Sequence, residues 1–237
     1  MNIQIKDLKK SFEETTAVDI PDFYLQENEI LGLVGNNGAG KTTLFRLMLD
    51  LIKADNGTVT LNFENNISIN PAESEEWKLH TGAYLDESFL IDFLTPDEYF
   101  SFIGKISGLS KEELKERLEY FNKFSAGEIF GQKKLIRDFS AGNKQKIGII
   151  AAMINKPELI VLDEPFNFLD PTSQNLLKKL LIDYHSQTGA TIIVSSHNLQ
   201  NTIDISTHIT LLEHGKVIID MPKSDEIDKT LIDYFQI

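Results

Sequence analysis

The chain has 237 residues, enough to bury one large α/β core with a small added lobe and too few for two full-sized nucleotide domains. Its 36 acidic residues against 23 basic ones give a net charge of −13, a field that repels polyanions and argues against nucleic acid as the main partner. Cysteine is absent, which excludes disulfides and thiolate metal sites and fits a reducing compartment.

The opening MNIQIKDLKKSFEE contains no apolar core of the kind a signal peptide needs, so none is expected. Strands are predicted at residues 3–5, 19–25 and 30–34. Directly after the third comes GNNGAGKTT, residues Gly35, Asn36, Asn37, Gly38, Ala39, Gly40, Lys41, Thr42 and Thr43, and then the helical pattern LFRLMLDL. The glycines allow the backbone N–H groups to turn inward around phosphate oxygens at a helix N-terminus. Lys41 adds a compact positive charge for the β- and γ-phosphates, and Thr42 offers a hydroxyl to the Mg²⁺ that bridges them. The spacing G-x-x-x-x-G-K-[ST] is complete, and so is its strand-before, helix-after context.

A turn at Asp55-Asn56-Gly57 precedes a strand at 58–63. Between about Asp86 and Phe139 the pattern is helical. Thr95-Pro96-Asp97-Glu98 and Ser110-Lys111-Glu112-Glu113 each read as a helix start with a capping box, the first with proline at the leading helical position. This segment carries eight of the fifteen phenylalanines, enough to supply an apolar groove for a docked helix or simply the lobe's own core. The basic run Lys133, Lys134, Arg137, Lys144 and Lys146 reads as a solvated face. The longest largely apolar stretch, Ile147 to Ile154, is far below the roughly 20 residues needed to cross a bilayer.

Short aliphatic runs at Leu159 to Leu162, Thr191 to Val194 and Ile209 to Leu212, each after a helical pattern, predict a buried and mainly parallel sheet. The first closes ELIVLDEP. There Asp163 stands at a strand end, where it can hold Mg²⁺, and Glu164 stands where it can polarise a water aimed at the γ-phosphate. His197 follows the second run in the sequence SSH, while His80, His185, His208 and His214 show no ligand spacing and read as ordinary.

These motifs, in this order and over essentially the whole length, resemble the nucleotide-binding subunit of an ABC (ATP-binding cassette) transporter. The resemblance implies a P-loop NTPase: a mainly parallel sheet core with an antiparallel β part and an inserted helical lobe. The core would be RecA-like, at about 1–85 and 140–237, with the helical subdomain at about 86–139. FSAGN, residues 139–143, stands about 20 residues before Asp163, where the family has its LSGGQ-like signature. By that resemblance Ser140 and Gly142 cap the ATP of a second ABC subunit, and Asn167-Phe168-Leu169-Asp170 is similar to the D-loop at the subunit interface. His197 is similar to the switch histidine at the γ-phosphate, and Phe12 stands where the family stacks an aromatic on adenine.

Two residues depart from the family pattern. Asp86 replaces the Gln or Glu that reaches the metal and attacking water, and Asn143 replaces the last Gln of the signature. The resemblance therefore implies an ATPase using ATP and Mg²⁺, paired as a homodimer or heterodimer and docked on an integral membrane permease at the inner face of the cell membrane. The short cassette looks most like the ABC-2 exporter group. A soluble ATPase of iron–sulfur cluster assembly is the other reading, whereas translation or chromosome ATPases would call for tandem domains, a basic linker or a coiled coil.

Overall fold

The computed structural model describes residues 1–63, 67–197 and 199–235. Two sheets share the molecule. The first is antiparallel, in the order β2-β1-β4-β5, from Asn2–Phe12 (β1), Thr15–Leu25 (β2), Asn56–Asn62 (β4) and Ser68–Ile69 (β5). The second has six strands. Ile30–Val34 (β3) lies at its centre, flanked by Thr191–Ser196 (β8) and His208–Glu213 (β9). Outside β8 come Leu159–Leu162 (β7) and Thr81–Tyr84 (β6); outside β9 comes Lys216–Pro222 (β10). All neighbours in this sheet run parallel except β9 and β10.

The period-2 alternation of these strands divides the core. Leu31, Leu33, Leu159, Val161 and Ile193 pack against the antiparallel sheet and helix α1, Lys41–Met48. Ile30, Ile160, Leu162, Ile192 and Val194 face the other way, onto Ala141–Met153 (α5) and Pro171–Thr188 (α6). In the chain Pro96–Ile106 (α2), Lys111–Glu119 (α3) and Asn122–Ser125 (α4) come between β6 and α5. Both predicted capping boxes are formed. Glu98 Oε2 accepts from the Thr95 N–H at 2.8 Å, Glu113 Oε2 from the Ser110 N–H at 2.8 Å, and each cap hydroxyl accepts the N–H three residues on. Leu199–Ile203 (α7) and Asp225–Phe235 (α8) pack on Val34 and Leu211 in a third, smaller cluster. Among the described residues no helix is long and apolar enough to cross a membrane.

Most of the aromatic richness of residues 86–139 is core. Phe100, Phe121, Phe124 and Phe139 are buried in the same cluster as α5 and α6, whereas Phe93 and Phe102 are exposed. The basic run is the expected solvated face at Lys133, Lys134 and Arg137, which are exposed, and departs from it at Lys144 and Lys146. Lys146 is only 4 % exposed and pairs with Glu128 at 3.2 Å, Lys144 pairs with Glu87 at 3.0 Å, and the Lys134 ammonium lies 4.0 Å from the centre of the Phe139 ring. A long aliphatic stem lets Lys146 be buried while its ammonium reaches Glu128.

Candidate active site

The parallel register brings the carboxyl ends of β3, β7 and β8 to one edge. The loop from Gly35 to Gly40 leaves β3 there, and α1 starts at Lys41. Gly40 is the N-cap residue, with φ 106° and no side-chain cap, and the first turn of α1 holds no acidic residue. A β-carbon at Gly40 would lie 2.3 Å from the Ala17 carbonyl oxygen, so both its backbone conformation and its neighbour demand glycine. The uncapped N–H groups and the helix dipole form an anion site. They open onto a cavity of about 250 Å³ lined by Asn37 to Thr43, Ala17 and Glu164.

Lys41 is buried, and its ammonium donates to the carbonyls of Gly35 at 2.7 Å and Asn36 at 3.3 Å. It also stands 3.6 Å from Glu164 Oε1. Asp163, 6 % exposed, accepts a hydrogen bond on each carboxylate oxygen, from Ser195 Oγ on Oδ1 and from Thr42 Oγ1 on Oδ2. Burial pushes the Asp163 carboxyl above its ordinary range, and these two bonds only partly offset that. Thr42 and Asp163 thus form a close oxygen pair that a hard divalent cation could take. Among the described residues no cluster of three or more His, Cys, Asp or Glu is placed to hold a metal.

Glu164 sits in the left-handed region at φ 47°, a conformation that costs a non-glycine residue on the order of 1–2 kcal/mol. Its N–H donates to Ser195 Oγ at 2.8 Å, and its carbonyl accepts from Gln145 Nε2 at 3.3 Å and from the Asn167 N–H at 3.1 Å. Its Oε2 accepts from the His197 N–H at 3.2 Å and from His197 Nδ1 at 2.8 Å. A carboxylate oxygen only accepts, so Nδ1 carries the proton and Nε2 is left outward on a half-exposed ring.

Other sequence candidates lie outside this cavity. Asp86 follows β6, accepts the Ser88 N–H at 2.8 Å and pairs with Arg46 of α1 at 3.2 Å. Partial burial pulls the Asp86 carboxyl up, but the Ser88 and Arg46 contacts outweigh it and leave the group below its ordinary range. Ser140 caps α5 through Asn143 N–H, and a β-carbon at Gly142 would lie 2.6 Å from the Phe168 carbonyl oxygen, so the signature-like glycine packs on the D-loop-like segment. Phe168 is 72 % exposed. Phe12 ends β1 with its ring exposed and the Lys10 ammonium 5.5 Å from its centre; Ala17, on the other strand of that hairpin, is the residue that reaches the cavity.

Ser195, Gln145 and Arg46 were not singled out in the sequence. Only Ser195 leaves a signal there, as a hydroxyl inside a strand that is otherwise fit for complete burial.

Comparison with known proteins agrees with this geometry. The family described as ABC transporter matches residues 18–167. An uncharacterized ABC transporter ATP-binding protein of Methanocaldococcus jannaschii is 33% identical over 217 residues, covering 91% of this chain and 76% of its own. A bacitracin transport ATP-binding protein of Enterococcus faecalis is 32% identical, covering 94% and 70%. A lantibiotic transport ATP-binding protein of Streptococcus pyogenes is 28% identical, covering 92% and 90%. Among solved structures, an ATP-binding subunit of an ABC transporter superposes with a TM-score of 0.83 at 25% identity, over 98% of this chain and 93% of that one. A dimeric bacterial ABC transporter cassette shares the fold, with a TM-score of 0.80 at 22% identity over 93% and 98%. The family match spans well over half of the chain, which therefore belongs to the ABC transporter family as an ATP-binding subunit and an ATPase.

Proposed function

We propose that this subunit powers export through a separate membrane permease, working as one of a pair of ABC subunits at the inner face of the cell membrane. The observation that carries the ATPase part is one cavity lined by Lys41, Thr42 and Glu164, with Asp163 bonded to Thr42 and His197 bonded to Glu164 beside it. In this reading the loop from Gly35 to Thr43 binds the ATP phosphates, and Thr42 and Asp163 hold Mg²⁺. Glu164 acts as general base, oriented by His197. Asp86 is assigned a place near the metal and water, Phe12 a place against adenine, and Ser140 with Gly142 the ATP of the second subunit.

The division into a RecA-like core at about 1–85 and 140–237 and a helical subdomain at about 86–139 is part of the same proposal. Support for a docked permease comes from a groove of about 200 Å³ between β6, α2 and α5, lined by Phe89, Ile103, Gly148 and Ala151 and by the polar Lys78, Thr81, Ser107 and Asn155. Phe102 and Ile106, one turn apart on α2, and Leu79 are exposed. The exposed apolar side chains beside this groove are what a partner's helix would cover. Export is supported by the relatives named for bacitracin and lantibiotic transport.

The test is purification of the tagged chain from its native membranes. Co-purification with a polytopic membrane protein, lost in Phe102→Ser/Ile106→Ser while the isolated subunit keeps its ATPase rate within about twofold, is the expected result. Recovery of a soluble scaffold alone would favour the cluster-assembly reading. Dimer formation by Glu164→Gln on adding Mg-ATP, followed by light scattering, tests the pairing; a monomer at saturating nucleotide would remove it for the isolated subunit.

A further inference from the structure

We propose that Ser195 is a positioning residue for ATP hydrolysis: its single hydroxyl sets both the orientation of Asp163 and the backbone of Glu164. The inference rests on the assignment of Thr42 and Asp163 to Mg²⁺.

The register makes the contact possible. β8 lies between the phosphate-loop strand β3 and the strand β7 that ends in Asp163, and it pairs Val194 with Leu162 and Ser195 with Leu33. Ser195 is therefore one step beyond the last β7 pair, level with Asp163. It is 0 % exposed. A serine hydroxyl has one proton and two lone pairs. Here the proton goes to Asp163 Oδ1, and a lone pair accepts the Glu164 N–H at 2.8 Å.

Among the described residues, each of these bonds meets a need that no other contact of these atoms meets. Of the two hydroxyls on Asp163, Thr42 is the one assigned to the metal, so Ser195 is the contact left to hold the carboxylate. Glu164 is in the left-handed region, and its N–H donates to Ser195. Through that main-chain anchor the Glu164 carboxylate reaches His197 on one oxygen and Lys41 on the other. His197 itself lies two residues beyond Ser195. One side chain on β8 therefore ties together the metal-side carboxylate, the general base and the histidine that orients it.

A strand position buried this completely would be filled at least as well, on packing grounds, by alanine or valine. The hydroxyl is the part that packing does not require. Outer-shell partners of metal ligands are typically worth about 10–100-fold in metal affinity or activity, and the same range is expected here.

The experiment measures Mn²⁺ binding, by the electron paramagnetic resonance of the free ion, to the full chain loaded with a non-hydrolysable ATP analogue. Wild type, Ser195→Ala and Ser195→Thr are compared, together with steady-state hydrolysis and binding of a fluorescent ATP analogue in EDTA. Ser195→Ala is expected to weaken Mn²⁺ binding and lower kcat by about tenfold or more, with metal-free nucleotide affinity within about twofold of wild type. Ser195→Thr, which keeps the hydroxyl, is expected to retain Mn²⁺ affinity within about threefold.

Wild-type Mn²⁺ affinity and kcat in Ser195→Ala would overturn the proposal, and so would equal losses in alanine and threonine. If the alanine chain does not fold, Ser195→Cys, with its poor donor, takes its place under the same criteria. Absence of Mn²⁺ binding by the nucleotide-loaded wild type would instead overturn the metal assignment beneath it.

Discussion

At the carboxyl ends of β3, β7 and β8, Glu164 faces a cavity together with Lys41 and Thr42, and Asp163 and His197 join it through Thr42 and Glu164. At the amino ends of the same sheet a second set of charges closes on itself. His208, at the start of β9, lies between Asp220 of β10, 2.8 Å from Nε2, and Glu29 just before β3, 3.3 Å from Nδ1. His80, just before β6, pairs with Glu158, just before β7, at 2.7 Å. Both edges thus hold histidine–carboxylate pairs at similar distances. They differ in what lies beyond the pair. One edge has uncapped helix N–H groups, a buried ammonium and empty volume; the other has carboxylates that close on imidazole rings. Contact geometry alone does not separate a site from a fastening, and the open, anion-ready wall does.

The sharpest way to break this contrast is at Lys41. Replacement by alanine removes the buried ammonium from the cavity and leaves the Gly35 and Asn36 carbonyls without it. ATP affinity is expected to fall on the order of a hundredfold or more by calorimetry, the range for truncating one partner of a buried charged contact. Unchanged affinity would mean that the phosphates bind elsewhere.

Glu164→Gln comes next. The amide keeps the shape, and its oxygen can still accept from His197, but it cannot take a proton. Hydrolysis is expected to drop by about 10²–10⁴-fold with ATP binding preserved. A turnover within about threefold of wild type would remove Glu164 as the base.

The two edges also differ in how much of them a reader of the sequence could find. The phosphate loop is nine contiguous residues between a strand and a helix, and its glycines serve local backbone needs, so the pattern is complete in one window. ELIVLDEP is equally local, and the capping boxes of α2 and α3 span four residues each. By contrast Ser195 acts on residues 31 and 32 positions away, and His208 meets Glu29 across 179 positions, contacts that exist only through strand order. The histidines read as ordinary because spacing along the chain carries no trace of such pairs.

β6 was not recognised as a strand because TGAY is short, is weak in β-branched residues and gains its identity from pairing with β7. β1 and β2 run well past the predicted 3–5 and 19–25. They form one long hairpin whose exposed stretch is polar and held by ladder bonds rather than burial. Asp86 shows the remaining gap: its place rests on family position, and its partner Arg46 lies 40 positions away, outside any local window.

Asp86 is a smaller test on the nucleotide edge. Its pair with Arg46 is about half exposed on both sides, so the ionic part is worth little, while its cap of the short turn at 87–89 has the usual value of about 1 kcal/mol. Asp86→Gln is expected to lower Tm by about 2–4 °C and to leave hydrolysis within about threefold or raise it. Collapse of hydrolysis with intact ATP binding would show instead that the aspartate is matched to this site.

The smallest effect belongs to the closed edge and appears as a pH dependence of stability. The hydrogen bond and charge of Asp220, with Glu29 on the other nitrogen, hold the His208 pKa above its ordinary value despite its burial. The raised folded-state pKa means that the protonated ring favours the fold. This contribution is complete below the unfolded pKa of about 6.5 and is lost as pH rises through the folded value. Glu29, pushed up by burial, acts with the same sign from its own lower starting point. Asp220→Asn keeps an acceptor for His208 and for Thr210, which donates to the same oxygen at 2.6 Å, and removes only the charge. Wild type should therefore lose about 2 °C more in Tm than Asp220→Asn when the pH is raised from about 6 to about 9, with ATP hydrolysis at fixed pH the same in both. Parallel Tm curves would show that the imidazolium bridge contributes nothing at this edge, and a fall in hydrolysis would show that the two edges are coupled through the sheet.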